Sequence, residues 1–222
     1  MTTLIRKATL TAAGAALTAG ALAGPATAFA APTHTPTSSV TTDRGHDRTD
    51  KPGKGQRELN VRYEAQPNFY YCGPAAARNA LTTLNKDVSQ DDLAREMGTT
   101  ENGTDSAHLI TKALNTKSGK NDWRTIEITT PNADDKQTDT LRHDVRTAVD
   151  NGRAVVANIA GTATDTNGTT HSFEGGHYIS VVGYRDNADT VKIADSANPN
   201  QASYWITTDA LADWIATRGY SA

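Results

Sequence analysis

Hydrophobic positions fall into distinct regimes along the chain. A soft apolar run of Ala, Gly and Leu reaches from Ala8 to about Gly24 behind Arg6 and Lys7. Residues 31–58 then hold five Lys and Arg, four Asp and Glu, and almost no large apolar side chain. Such a segment buries too little surface to offset its ordering entropy, so it reads as a disordered linker or short pro-segment. From about Leu59 apolar positions recur at helical spacing. Cys72-Gly73-Pro74 opens a stretch from Ala75 to Leu84 with Ala76, Ala80 and Leu84 on one stripe; proline suits the first helical turn, where a missing N–H costs nothing. Ser89 and Asp92 give a capping-box-like start to a second helix ending at Gly98. Thr104 or Asp105 caps a third, carrying Leu109, Ile110 and Leu114, and a fourth runs from about Thr138 to Asp150.

After Gly152 the period changes to that of strands. Ala154 to Ile159 is a short apolar run, and Gly161 to Gly175 reads as a polar loop. His177–Tyr184 and Thr190–Asp195 read as strands joined by a tight turn over Arg185–Asp189. Tyr204–Ile206 is a last strand, and Thr208 caps a closing helix. Helices first and an antiparallel sheet afterwards predict an α+β domain over 59–222.

Composition adds a compartment. Ala28-Phe29-Ala30 puts small residues at the two positions a signal peptidase inspects, so residues 1–30 are expected to be a secretory signal cut after Ala30. The apolar run is too short and too interrupted by Thr and Gly for a membrane span, which needs about 20 apolar residues. Without residues 1–30 the chain loses two cations and no anion, leaving 20 Lys and Arg against 25 Asp and Glu. This mild acidity gives no reason to expect nucleic acid or anionic lipid as a partner. The chain has one Cys, where exported proteins usually employ Cys in disulfide pairs. A lone Cys is either a buried inert side chain, an intermolecular bridge, or a reactive group.

Its neighbours point to chemistry. Cys72 stands where a loop turns into a helix, and the free N–H groups and dipole there stabilise a thiolate. Gly73 beside it is read as clearance for a substrate backbone. Gln66, six positions upstream, offers a side-chain amide that complements the Cys72 backbone N–H as an oxyanion donor; alone it would be an ordinary solvated residue. His177, after Gly175-Gly176, is the imidazole best placed to pair with a thiol, against the plainer reading of a half-buried histidine at a strand start. His34 and His46 lie in the linker, His108 and His143 on helices, and His171 in the polar loop as the local competitor. If the 185–189 turn centres on Asn187, Ile179 faces Asp195 and Val181 faces Ile193. His177 and Asp195 are then diagonal neighbours, about 7–8 Å apart at Cα, and Asp195 can hold the ring's tautomer. A one-residue slip would put Asp195 on the other face. Asn198 is the fallback orienter.

Together, Gln66…Cys72-Gly73-Pro74-Ala75-Ala76, Gly176-His177-Tyr178, Val182-Gly183-Tyr184 and Ile193-Ala194-Asp195 resemble the papain-like cysteine peptidases. Within these the chain is most similar to the bacteriocin-processing, double-glycine-leader type and its secreted relatives, over about residues 60–206. The resemblance implies a papain-like α+β fold, with a helical half bearing the Cys packed against an antiparallel sheet half bearing the His and Asp. It implies Gln66 as oxyanion donor, Cys72 as nucleophile, His177 as general base and acid, and Asp195 as orienter. Ser196 follows the Asp where the family often has Pro, and the next Pro is Pro199. Since the chain is expected to be exported and free-standing, the double-glycine substrate of the transporter-fused enzymes is not expected to carry over.

The expected function is therefore a secreted cysteine peptidase with a peptide or protein substrate and no cofactor or metal. It is expected to be a monomer without nucleic-acid partners or stable membrane association after signal cleavage. Two other classes stay open. The same residues can pass the acyl group to an amine, as in a transglutaminase, or a non-catalytic binding module can retain the fold.

Overall fold

The computed structural model describes residues 55–222. The expected signal segment and residues 31–54 of the expected linker lie outside them. The elements run β1 (Arg57–Glu58), α1 (Cys72–Thr82), α2 (Gln90–Met97), α3 (Ala107–Ser118), β2 (Thr125–Glu127), α4 (Asp135–Asp150), β3 (Val155–Thr164), β4 (Thr170–Arg185), β5 (Thr190–Ala194), β6 (Ser203–Thr207), α5 (Thr208–Ile215) and β7 (Gly219–Ser221). The seven strands form one sheet in the order β2-β7-β3-β4-β5-β6, with β1 paired to β4. Every pairing is antiparallel.

Successive residues of a strand point to opposite faces, and here both faces are buried. Ala154, Val156, Tyr178 and Val182 share one core with α1, α2 and α3, through Ala76, Leu81, Leu93, Ile110 and Leu114. Val155, Ala157, Ile179 and Val181 share the other with α4 and α5, through Leu141, Val145, Leu211 and Ile215. Burial on both sides is why the central strands read as continuous apolar runs rather than alternating ones. The α+β, papain-like arrangement is as expected: the Cys-bearing helices pack on the sheet that carries the His. Two further helices cover the opposite face.

Local chemistry sets the helix ends. Ser89 caps α2 by accepting the Asp92 N–H (3.1 Å), and Gly98 closes it in the left-handed conformation (φ 65°). The cap of α3 is Ser106, not Thr104 or Asp105. Thr104 is drawn into the preceding loop, where its hydroxyl bonds that of Thr99 (2.8 Å). The fourth helix starts three residues earlier than expected. Asp134 and Gln137 form a full capping box: the Asp134 carboxylate accepts the Gln137 N–H (2.7 Å) and the Gln137 carboxamide oxygen accepts the Asp134 N–H (2.9 Å). The closing helix is capped by Thr207 rather than Thr208, because the Thr208 hydroxyl is buried against the Ala188 carbonyl.

One correction bears on the site. Residues 161–175 are not a polar loop. Both strands continue through them as a paired arm, from Gly161↔Phe173 to Thr164↔Thr170, beyond a bulge at Ile159/Gly161. Helix α1 begins at Cys72 itself, as the loop-to-helix junction predicts, and stops at Thr82, two residues short of Leu84. The β4–β5 register pairs Val181 with Ile193 and Ser180 with Ala194, as expected, but a bulge between Val181 and Gly183 produces it: beside the turn Arg185 pairs with Thr190 and Tyr184 with Val191, one residue off the alignment of a turn centred on Asn187.

Candidate active site

Cys72 occupies the first position of α1. The preceding Tyr71 makes no side-chain cap, and no acidic residue falls in the first turn. The orphan N–H groups of this helix end are thus left for the thiol and for whatever binds beside it. Burial, the largest influence, pushes the Cys72 thiol up. The His177 imidazole and the backbone N–H groups of Tyr178 and Gly73 outweigh it and hold the pKa below its ordinary value. Gly73 has a different reason than the one expected. A Cβ there would lie 2.4 Å from the Thr104 hydroxyl oxygen, so the glycine lets the 99–104 loop close against α1 rather than admitting a substrate.

His177 is buried near the start of the apolar part of β4, after Gly175 and Gly176. Gly176 has φ 94°, a conformation that favours glycine. The His177 Nε2 bonds the Asp195 Oδ1 at 2.8 Å, which leaves Nδ1 as the ring nitrogen for the thiol. Burial pushes the imidazole pKa down, but the Asp195 carboxylate on one side and Cys72 on the other raise it to about 9. Asp195 follows the last residue of β5, and its main chain is fixed by bonds from its own N–H to Ala202 O (3.0 Å) and from the Tyr63 hydroxyl to its carbonyl (2.9 Å). Its Oδ1 also accepts the Ala197 N–H (3.0 Å), and its Oδ2 accepts the Tyr204 hydroxyl (3.0 Å). Burial raises its pKa, but His177, the Ala197 N–H and Tyr204 together hold it below the usual carboxylate value. Asn198, the fallback orienter, instead accepts the Asn200 N–H (3.1 Å) and caps the short turn at Pro199–Gln201.

Gln66 is tied to the same line of residues from behind. Its N–H bonds Ser196 O (3.0 Å), its Oε1 accepts the Ser196 hydroxyl (3.0 Å), and its Nε2 donates to Asn68 O (2.8 Å). One of the two Nε2 protons is used in this way. The structure therefore brings Cys72, His177 and Asp195 together directly and joins Gln66 to them through Ser196. His171, the competing histidine, bonds Asp165 (3.1 Å) instead.

The cleft that holds Cys72 and His177 is also lined by Thr104, Asp105, Gly176 and Arg218, with the exposed Phe69 at its rim. Phe69 is 80% exposed and is the one exposed large hydrophobic among the described residues. Several supporting residues had no sequence signal as such. Tyr204 and Tyr63 read as strand and loop aromatics, and Tyr178 gave no sign that its hydroxyl would reach Thr104 O (3.2 Å). Among the described residues no helix is long and apolar enough to cross a membrane, and no three His, Cys, Asp or Glu gather as a metal site would require.

Comparison with known proteins places this geometry in a family. Among solved structures, the chain is similar to a putative C39-like peptidase from Bacillus anthracis at 12% identity and a TM-score of 0.50, with 74% of this chain and 96% of that one covered. That likeness is one of fold. Other similar structures are the peptidase domain of Streptococcus ComA, a bi-functional ABC transporter involved in quorum sensing (17% identity, 72% and 96% covered, TM-score 0.49), and a double glycine motif protease from an AMS/PCAT transporter in complex with the leader peptide (13%, 73% and 91%, 0.46). No curated protein matches the chain. The family model described as the Peptidase_C39 like family matches residues 58–222, the whole helical and sheet portion that carries Cys72, His177 and Asp195, and the chain belongs to that family.

Proposed function

We propose that this chain is a secreted cysteine peptidase that cleaves peptide bonds through a covalent acyl-enzyme on Cys72. The observation that carries the reading is the buried His177 imidazole, bonded to Asp195 at 2.8 Å and set against a thiol at the first position of a helix. In this reading the thiolate attacks the scissile carbonyl and the imidazolium protonates the leaving amine. Water, activated by the now neutral imidazole, then hydrolyses the thioester. Asp195 keeps the ring's Nε2–H pointing away from sulfur. The Cys72 N–H and the second proton of the Gln66 amide receive the oxyanion. Membership of a peptidase family favours water over an amine as the acyl acceptor. The exposed ring of Phe69 at the rim suits a substrate with an apolar side chain near the scissile bond.

The reading is tested by digesting a mixed peptide library and following kcat/KM of one cleaved peptide against pH. A bell is expected. Its acid limb lies below the ordinary thiol range, because the active form needs the thiolate. Its alkaline limb lies near 9, because above that pH the imidazolium has lost the proton it must give to the leaving group. Both limbs belong to the coupled Cys72–His177 pair rather than to either residue. A rate that simply rises through the ordinary thiol range would exclude the preformed ion pair.

Gln66→Ala is expected to leave Cys72 reactive toward small alkylating agents while lowering kcat by roughly 10²–10³, since an oxyanion donor acts only as charge develops. Equal losses in both assays would instead assign Gln66 to holding the loop through Ser196. For export, N-terminal sequencing of protein from culture medium is expected to begin at Ala31; a chain that retains Met1 would contradict the signal.

A further inference from the structure

The arm formed by the ends of β3 and β4 has two unlike faces. Thr162, Thr164, Thr170 and Ser172 face solvent. On the other face, His171 and Phe173 stand two residues apart and therefore point the same way. Phe173 lies flat on the His177 imidazole, with centroids 4.0 Å apart and planes 16° apart. His171 lies flat on the Tyr204 ring at 3.9 Å and 17°, and the Tyr204 hydroxyl holds Asp195 Oδ2 at 3.0 Å. Each member of the His177–Asp195 pair is thus backed, directly or through one tyrosine, by a side chain of the arm.

The arm itself is anchored. His171 Nε2 bonds Asp165 Oδ2 (3.1 Å), and Asp165, its side chain fully buried, accepts the N–H groups of Asn167 (2.8 Å) and Thr169 (2.9 Å) on its other oxygen. Thr166 N–H reaches Trp205 O (2.8 Å), tying the tip to β6. Beneath, Trp214 of α5 donates to Gly161 O (3.0 Å) at the bulge, and its ring lies 6.0 Å from Phe173 and 6.4 Å from His171. Burial raises the Asp165 pKa, but the Thr169 N–H, the His171 imidazole and the Asn167 N–H outweigh it and hold the carboxyl below its ordinary value, so His171 is clasped by a well-satisfied carboxylate.

We propose that the β3–β4 arm is the positioning element of the reactive pair: Phe173 holds the His177 ring in the one plane that reaches both Cys72 and Asp195, and the Asp165–His171 clasp holds Tyr204 on Asp195. The proposal rests on the peptidase reading of Cys72 and His177. The groups that face the His177 ring are Cys72 from α1, Asp195 from the end of β5 and Phe173 from the arm; Tyr204 and Tyr63 bond Asp195 and not the ring, and Glu101, Asp105 and Arg218 line the same cleft. Without a ring on its face, the imidazole is free to turn about its Cβ–Cγ bond and water enters around it. Both its attraction to Cys72 and its bond to Asp195 then weaken, and the thiolate loses its partner.

Cys72 is the single cysteine of the chain, so its alkylation rate by iodoacetamide reads the thiolate without any substrate. In the wild type the rate is expected to persist well below the ordinary thiol range. In Phe173→Ala the midpoint of the rise with pH is expected to move up by about one unit, the scale of losing a nearby opposite charge, while the rate at pH values where any thiol is ionised stays unchanged. Phe173→Tyr, which returns a flat ring, should bring the midpoint back, and His171→Ala should shift it in the same direction by less. On a cleaved peptide, Phe173→Ala should lower kcat with KM nearly constant. A Phe173→Ala protein with native near-ultraviolet dichroism and the wild-type midpoint would overturn the proposal, as would a Phe173→Tyr midpoint displaced as far as that of the alanine variant. If Phe173→Ala does not fold, Phe173→Leu, which fills much of the volume without a flat ring, is read in the same way. A wild-type midpoint at the ordinary thiol value overturns the peptidase reading and this proposal with it, whereas the variant outcomes overturn this proposal alone.

Discussion

Cys72→Ala is expected to abolish peptide cleavage, lowering kcat by roughly 10⁵–10⁶. The chain has no second thiol to take over the attack. The imidazole left behind has nothing to deprotonate except water. What remains is the contribution of binding and of the oxyanion donors alone. Folding should be nearly untouched. The change removes one sulfur from a buried position at the edge of the core, and alanine tolerates the first turn of a helix well. Single-turnover assays with a cleaved peptide, run beside a thermal melt, check both halves. Retention of activity within tenfold of the wild type would exclude Cys72 as nucleophile.

His177→Ala should be almost as damaging at neutral pH, with kcat/KM reduced by roughly 10⁴–10⁶, but the loss should have a different shape. Removing the ring takes away the main influence that holds the thiol's pKa down, and burial, the largest influence on Cys72, is then opposed only by the N–H groups of Tyr178 and Gly73. The residual activity should therefore climb with pH as the thiol ionises unaided, where the wild type declines above about 9. Asp195 pays a second penalty. It keeps Ala197 and Tyr204 but loses its bond to the ring inside the protein, an acceptor loss of about 1–3 kcal/mol. His177→Gln, which keeps a donor near Asp195 without a base, should recover part of that stability and none of the activity. Asp195→Ala should cost less activity than His177→Ala, since an orienter moves no proton, and Asn198→Ala should be silent. Rate profiles of the four variants against pH, with melts at pH 7, separate these roles.

Much of this was legible in the sequence because each signal had a local cause. Pro74 after Gly73 marked a helix start, so Cys72 could be placed at a loop–helix junction. The apolar runs on either side of the β4–β5 turn suggest the pairing of Val181 with Ile193, which puts Asp195 diagonally from His177; the four-residue connection and the bulge after Val181 that together produce this pairing leave no sequence signal. The misses are equally particular. The 161–175 arm looked like a loop because its solvent face is Thr and Ser, and its inner face carries only Ala163, His171 and Phe173 as large or apolar contributors. A two-residue spacing of His and Phe is a weak signal when the neighbours are Gly and Thr. The Asp134–Gln137 box was present in the sequence and would have given the start of α4. Thr104 reads as a cap because it precedes an apolar stripe, yet its hydroxyl is committed to Thr99 and its carbonyl to Tyr178. Strands β2 and β7 are three residues each and read as nothing until they pair with one another. Contacts such as Tyr63 to Asp195, 132 residues apart, leave no local trace at all.

The central claim is a covalent acyl-enzyme on Cys72, and pre-steady-state mixing of the purified protein with a peptidyl p-nitrophenyl ester tests it most directly. The account predicts a burst of about one equivalent of p-nitrophenol per active site, with the acyl mass found on the peptide containing Cys72 after an acid quench, and neither burst nor adduct in Cys72→Ala. Release of p-nitrophenol at the same rate from the wild type and from Cys72→Ala, with no acyl group on Cys72, would contradict it.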